Sequence, residues 1–187
     1  MATICGEIVA PFKTELGWTA FYFGPLGLER LTFDHHSARA AQIGMNEISQ
    51  TNAARTTKVS TELSATQIEH WCGELRDRLA AYAAGAATSF LDVPLNLTPF
   101  TQFQQSVYTA CREIPAGTTL TYAELAGKAG SPLAARAIGN AMSRNRMPIV
   151  VPCHRVVGSH GSLGGFSSPS GLDMKRRLLA MECRYGR

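Results

Sequence analysis

The stretch Thr121-Tyr122-Ala123-Glu124-Leu125-Ala126-Gly127-Lys128-Ala129-Gly130-Ser131-Pro132 decides how the second half of the chain folds. Thr121 followed three residues later by Glu124 is a capping box, in which each side chain satisfies a backbone N–H of the other residue. A helix is therefore predicted to start here and run to about Lys128. Gly130-Ser131-Pro132 reads as a turn in which Ser131 can cap the next helix and Pro132 can take its first position. That second helix is predicted to reach about Arg144. Two short helices joined by a tight glycine-containing turn form a helix-turn-helix.

The composition of the second helix bears on what it touches. Ala134, Ala137, Ile138, Ala141 and Met142 make its apolar side, while Arg136, Gly139, Asn140 and Ser143 fall on the other. A face of small residues carrying one long cation is either ordinary solvated surface or a surface that lets a backbone approach a DNA groove. Just upstream, Phe100, Phe103, Val107, Tyr108 and Cys111 share one face of another helix.

The first half has a different character. Trp18 to Phe23 is aromatic-rich, Gly24-Pro25-Leu26-Gly27 is a turn, and Leu28 to Phe33 alternates with period two, which predicts a hairpin. A helix is expected near Ser37 to Ile48, then a polar loop from Ser49 to Ser60. Ser64-Ala65-Thr66-Gln67 is a second capping box, opening an amphipathic helix with Ile68, Trp71, Cys72, Leu75 and Leu79 on one face and Gly85 at its end. Ser89 to Leu95 reads as a short strand. The change from strands to helices places a boundary near Leu95 to Pro99, giving domains 1–96 and 97–187.

At 187 residues, 45% hydrophobic and 17% charged, the chain can bury a real core. No apolar run approaches the roughly 20 residues of a bilayer span, so a membrane protein is not expected. The first residues lack the pattern of a secretory signal. Five cysteines without disulfide rhythm point to a reducing, cytoplasmic setting, or a nuclear one in a eukaryote. The formal charge of +4 leans mildly toward an anionic partner. Its distribution says more, because nine arginines and lysines between Arg136 and Arg187 face only Asp173 and Glu182. A basic solvated face and a nucleic-acid surface both fit.

Chemistry concentrates in Met147-Pro148-Ile149-Val150-Val151-Pro152-Cys153-His154-Arg155-Val156-Val157-Gly158. A thiolate is the reactive form of cysteine, and an adjacent histidine can serve as its base or its stabilising cation. Neighbours in a strand point to opposite faces, so the pair needs a turn-like backbone to work together. Pro152-Cys153-His154-Arg155-Val156-Val157 resembles the active-site signature of the O6-alkylguanine-DNA alkyltransferases, the methylated-DNA–protein-cysteine methyltransferases. The resemblance continues through Ile114 to Gly117, Thr121 to Ala126, Ala134 to Met142 and Asn145 to Pro148.

That resemblance implies an α/β plus α fold: an N-terminal ribonuclease-H-like domain and a C-terminal winged helix-turn-helix domain. It implies direct repair of double-stranded DNA bearing O6-alkylguanine, with O4-alkylthymine as a second candidate, by irreversible single-turnover transfer to Cys153. In that scheme His154 links through a water to Glu182, and acid, imidazole and thiol form a relay. Asn145 braces the turn before the active-site segment. Tyr122 crowds the phosphate of the flipped nucleotide and donates to the guanine. Ser167, with backbone groups of Cys153 and Val156, contacts the guanine edge, and Phe166 belongs to the loop walling the pocket. Arg136 enters the stack as a finger, on a helix that presents Ala135, Gly139, Asn140 and Ser143 to the minor groove. Relatives often carry tyrosine at the position of Phe166 and a shorter glycine pair in place of Ser168 to Gly171, which leaves Ser168 as the alternative to Ser167.

Glu182 can be weighed without the resemblance. A carboxylate near a helix C-terminus, on a face shared with Leu178 and Leu179, is opposed by the helix dipole and by burial. It is either a surface acid paired with a nearby arginine or the orienting partner of a histidine. Cys72 and Cys111 read as core, and His70 and His160 as surface. Cys5, His35 and His36 cannot supply four ligands, so no zinc and no cofactor are expected. A monomer is expected. The rival readings are a lesion-binding relative, which would lack the acceptor cysteine, a cysteine hydrolase, and a transcription regulator.

Overall fold

The computed structural model describes residues 7–49 and 62–184. Cys5 and the polar stretch over 50–60 fall outside them. The chain divides into two compact units, Met1–Pro99 and Phe100–Arg187.

The first unit is built on a three-stranded antiparallel sheet of β1 (Glu7–Thr14), β2 (Gly17–Gly24) and β3 (Gly27–His35), in that order. The hairpin read from the sequence is β2–β3, closed with Gly24 opposite Gly27. Gly27 is required: its φ is +111°, and a Cβ there would sit 2.4 Å from the Pro94 carbonyl oxygen. Alternation along β2 sends side chains to two faces. Ala20, with Trp18 and Tyr22, packs on Ala41 and Met45 of α1 (Ala38–Ser49). Phe21 meets Phe12 edge-on, and Phe23 stacks on Trp71 of α2 (Ala65–Ala83). The Ser64–Gln67 capping box is formed, and Ile68, Cys72, Leu75 and Leu79 are buried.

One expected strand is absent. Ser89 to Leu95 is a loop with a turn at Leu91–Asp92, and pairing is confined to a single bridge between Leu95 and Leu28. Pro94 has no N–H to extend a ladder. Its carbonyl accepts from Leu28 N at 2.8 Å, and Asn96 N donates back to Leu28 O at 2.9 Å.

The second unit holds α3 (Gln102–Arg112), α4 (Tyr122–Lys128), α5 (Ala135–Ser143) and α6 (Leu172–Glu182), with a short parallel pair of β4 (Leu120–Thr121) and β5 (Val156–Val157). The Thr121–Glu124 box caps α4 as read, and Thr101 with Gln104 caps α3 in the same way. The start of α5 differs from expectation. Ser131 and Pro132 do not open it; Ala134 N donates to Ser131 O at 2.9 Å, so Pro132 sits inside a turn and the helix begins after Ala134. Within α5, Ile138, Ala141 and Met142 are buried, whereas Ala137, assigned to the apolar side, is exposed. Tyr108 fastens α3 to α5 by donating to Ala141 O at 3.1 Å. Burial pushes that phenol up to about 12.

Candidate active site

The segment after α5 is shaped by Asn145. Its amide oxygen accepts from Met147 N at 3.0 Å, and its amide nitrogen donates to Val151 O at 2.8 Å. These bonds close a loop containing Ile149 at φ +72°, a left-handed conformation that β-branched residues rarely adopt. Asn145 therefore holds a strained turn in register. The chain leaves it through Pro152 into a 3-10 turn, Cys153–Arg155. This is the turn-like backbone that adjacent catalytic side chains need: consecutive residues fan around the axis instead of alternating between two faces.

The fan separates the three side chains. Cys153 is half-buried in the wall of a cleft, while His154 and Arg155 turn into the interior. Behind them stands Glu182, fully buried at the end of α6. Its Oε1 lies 2.9 Å from His154 Nε2, so the acid–imidazole link is direct, not through a water as the resemblance suggested. The ionised carboxylate can only accept, which places the proton on Nε2 and leaves the lone pair of the neutral ring on Nδ1. Arg155 grips the same carboxylate with two prongs, Nε to Oε2 at 2.9 Å and Nη2 to Oε1 at 2.8 Å. Its Nη1 donates to Ile114 O at 2.5 Å.

The electrostatics follow from this packing. Burial opposes ionisation of Glu182, but hydrogen bonds from His154 and Arg155 outweigh it and hold the carboxyl well below the usual range. Burial drives His154 down despite Glu182, so the ring is neutral at neutral pH and able to accept a proton. Burial pushes the Cys153 thiol up, countered in part by hydrogen bonding from Asn145, by the charge of Lys175 and by the Cys153 and His154 backbones. The resting sulfur is thus a thiol, and a base has to take its proton.

The cleft has a volume of about 220 Å³ and is lined by Cys153 and Asn145, by Tyr122 of α4, by Gly139, Met142 and Ser143 of α5, and by Pro148 and Gly165 to Ser167. Tyr122 sits opposite the loop; burial first, and Cys153 second, raise its hydroxyl, which stays a donor at neutral pH. Phe166 and Ser167 are in the wall and Ser168 is not. Ser167 Oγ lies 3.4 Å from Ser143 O. Val156 is behind the wall: its N–H donates to Cys153 O and its carbonyl accepts from Lys175 Nζ at 2.6 Å. Arg136, Asn140 and Ser143 are exposed on α5, with Ala135 half-buried.

Sequence reasoning brought Cys153, His154, Asn145 and Glu182 together and missed two buried cations. Arg155 stood inside the signature with no role, and Lys175 was counted as surface charge. The available signal was position: Lys175 shares a helical face with Met174, Leu178 and Glu182, all of them buried. Cys72 and Cys111 are buried, and His70 and His160 exposed. Among the described residues no group of three or more His, Cys, Asp or Glu could hold a metal, and no helix is long and apolar enough to cross a membrane.

Comparison with known proteins converges on one description. A family model for the DNA-binding domain of 6-O-methylguanine DNA methyltransferase matches residues 102–184. A methylated-DNA–protein-cysteine methyltransferase of Methanosarcina acetivorans is 46% identical over 125 residues, which is 67% of this chain and 78% of that protein. The crystal structure of Mycobacterium tuberculosis OGT in complex with DNA is similar with a TM-score of 0.67 at 31% identity, covering 93% of this chain and 91% of that one. An O6-methylguanine-DNA methyltransferase from the archaeon Pyrococcus kodakaraensis shares the mixed α/β fold, with a TM-score of 0.58 at 24% identity over 95% of this chain and 98% of its own.

Proposed function

The chain belongs to the methylated-DNA–protein-cysteine methyltransferase family, and from that premise we propose that it repairs alkylated guanine in DNA by moving the alkyl group from guanine O6 onto Cys153. The observation that carries the assignment is Cys153 in the cleft wall, followed by His154 bonded at 2.9 Å to a fully buried Glu182.

The alkyl carbon lies within the base stack, so the nucleotide has to swing out before a thiol can reach it. The helix-turn-helix of α4 and α5 is the DNA-binding element, with α5 in the minor groove. Ala135, Gly139, Asn140 and Ser143 give that helix a low profile. Arg136, exposed on α5, occupies the vacated space and offsets part of the lost stacking. The flipped base enters the cleft between Tyr122 and the Gly165–Ser167 wall, where Ser167 and Phe166 meet it; Val156, fully buried behind the wall, is not the contact of the base that the resemblance implied.

The thiol proton of Cys153 passes to the neutral His154 ring, and Glu182 stabilises the resulting imidazolium. The sulfur attacks the alkyl carbon; an S–C bond forms as the C–O6 bond breaks. The electron pair moves onto the guanine, whose developing charge takes a hydrogen bond from the Tyr122 hydroxyl. The thioether product is inert to water, so each molecule acts once.

The first unit is read as a ribonuclease-H-like domain and the second as a winged helix-turn-helix domain. The protein acts as a monomer, without metal or cofactor, in the cytoplasm, or in the nucleus of a eukaryotic cell. Incubation with a duplex carrying methyl-labelled O6-methylguanine tests the reading. Label confined to the Cys153 peptide and saturating at one equivalent supports it. Tight binding without label would make the chain a lesion sensor, and repeated product release a hydrolase.

A further inference from the structure

Lys175 has no exposed surface, although lysine is seldom fully buried. Its ammonium donates to two backbone carbonyls, Val156 O at 2.6 Å and Leu163 O. Val156 follows directly on the 3-10 turn that carries Cys153, and Leu163 lies two residues before the Gly165–Ser167 wall. Among the described residues no carboxylate forms an ion pair with Lys175. Burying an ammonium that meets only carbonyl dipoles is costly. The cost is reduced if an anion forms nearby, and the charges of Cys153 and Cys111 both act on Lys175.

We propose that Lys175 is a positioning residue for the transfer: its ammonium, fixed by the Val156 and Leu163 carbonyls, is the built-in counter-charge of the Cys153 thiolate. The other titratable groups that feel Cys153 are Tyr108 and Cys111 from α3 and Tyr122 from α4. Each of these is neutral at rest and becomes negative when ionised, so none can stabilise a second anion. His154, the adjacent base, is neutral until it takes the proton. Asn145 supplies a hydrogen bond but no charge. Lys175 alone among these brings a positive charge before the proton leaves. It lowers the cost of forming the thiolate at a site where burial alone pushes the thiol up.

The inference deepens the reading above, yet its test uses neither DNA nor alkylguanine, so the two can fail separately. Carbamidomethylation of Cys153 by iodoacetamide is followed by peptide mass across the neutral-to-alkaline range, which resolves it from the exposed Cys183. In Lys175→Met the midpoint of the rate profile should rise by about one pH unit, the lower end of what a nearby opposite charge provides. In Lys175→Arg it should stay near the wild-type value. A purely structural role would lower the melting temperature and leave the midpoint where it is; that result in folded Lys175→Met overturns the proposal. If Lys175→Met does not fold, the wild type carries the test through reciprocity. The Lys175 Nζ titration, followed by nitrogen NMR, should move down once Cys153 is blocked as its carbamidomethyl thioether, and an unchanged titration would refute the assignment.

Discussion

Replacing Glu182 by glutamine removes one charge from the buried His154–Arg155–Glu182 cluster while keeping its volume. Glu182 is fully buried and accepts from His154 Nε2 at 2.9 Å and from Arg155 Nε and Nη2 at 2.9 and 2.8 Å. The glutamine amide has one acceptor oxygen for these donors, and its NH₂ must face either the imidazole N–H or the guanidinium. Arg155, 8% exposed, would be left without a counter-ion. Breaking a buried pair on one side costs about 3 to 5 kcal/mol. In a domain of fewer than 100 residues each kcal/mol moves the melting midpoint by about 4 to 8 °C, so the loss should be conspicuous in urea or thermal unfolding. The chemistry should suffer separately. Without a carboxylate to fix the tautomer and stabilise the imidazolium, His154 loses most of its value as a base, a loss of about 100-fold or more in the single-turnover transfer rate. Both quantities can be read on one preparation, the rate below the unfolding temperature. A Glu182→Gln protein that unfolds with the wild type and transfers methyl at the wild-type rate would refute the reasoning.

Three further outcomes follow from the same geometry. Stability should fall on acidification in two stages: His154, depressed when folded, takes a proton more readily in the unfolded chain, so loss begins below about pH 6.5, and Glu182, also depressed, adds its own below about pH 4.3. Cys153, raised by burial, adds an alkaline loss as pH climbs past about 8.5; urea midpoints that stay flat through the acid range would contradict this account. Arg136→Ala should slow repair in duplex DNA about 10-fold or more, an opening cost of a few kcal/mol partly regained, while reaction with free O6-benzylguanine stays near wild type; equal losses would remove the finger role. Gly164→Ala places a Cβ 2.6 Å from the Tyr122 hydroxyl at φ +65°, so the wall or Tyr122 has to shift and reaction with bulky benzyl adducts should slow more than with methyl adducts, as a substrate-size series would show.

What the sequence disclosed was whatever depends on near neighbours. The boxes at Ser64–Gln67 and Thr121–Glu124 announce helix starts because capping is satisfied within four residues, and the same signal at Thr101–Gln104 was there to be read. Cys153, His154 and Asn145 were visible because an uncommon chemistry leaves an uncommon local pattern. The failures lie where a distant partner decides. Ser89 to Leu95 has strand-like composition, but Pro94 permits one bridge to Leu28 and no ladder. Ser131 could cap a helix, yet its carbonyl is taken by a turn. The Arg155–Glu182 clasp joins residues 27 apart in the chain, and Lys175 is tied to carbonyls 19 and 12 residues away. No spacing rule reaches that far, and a basic residue in a basic tail looks like surface until its burial is known.

The central claim is that one sulfur accepts the alkyl group, and the intact mass of the protein after exposure to excess O6-methylguanine duplex tests it most directly. The wild type should become heavier by one methylene unit, once, while Cys153→Ser, folded and still binding duplex, should keep its mass unchanged. A Cys153→Ser protein that gains the same increment would contradict the account.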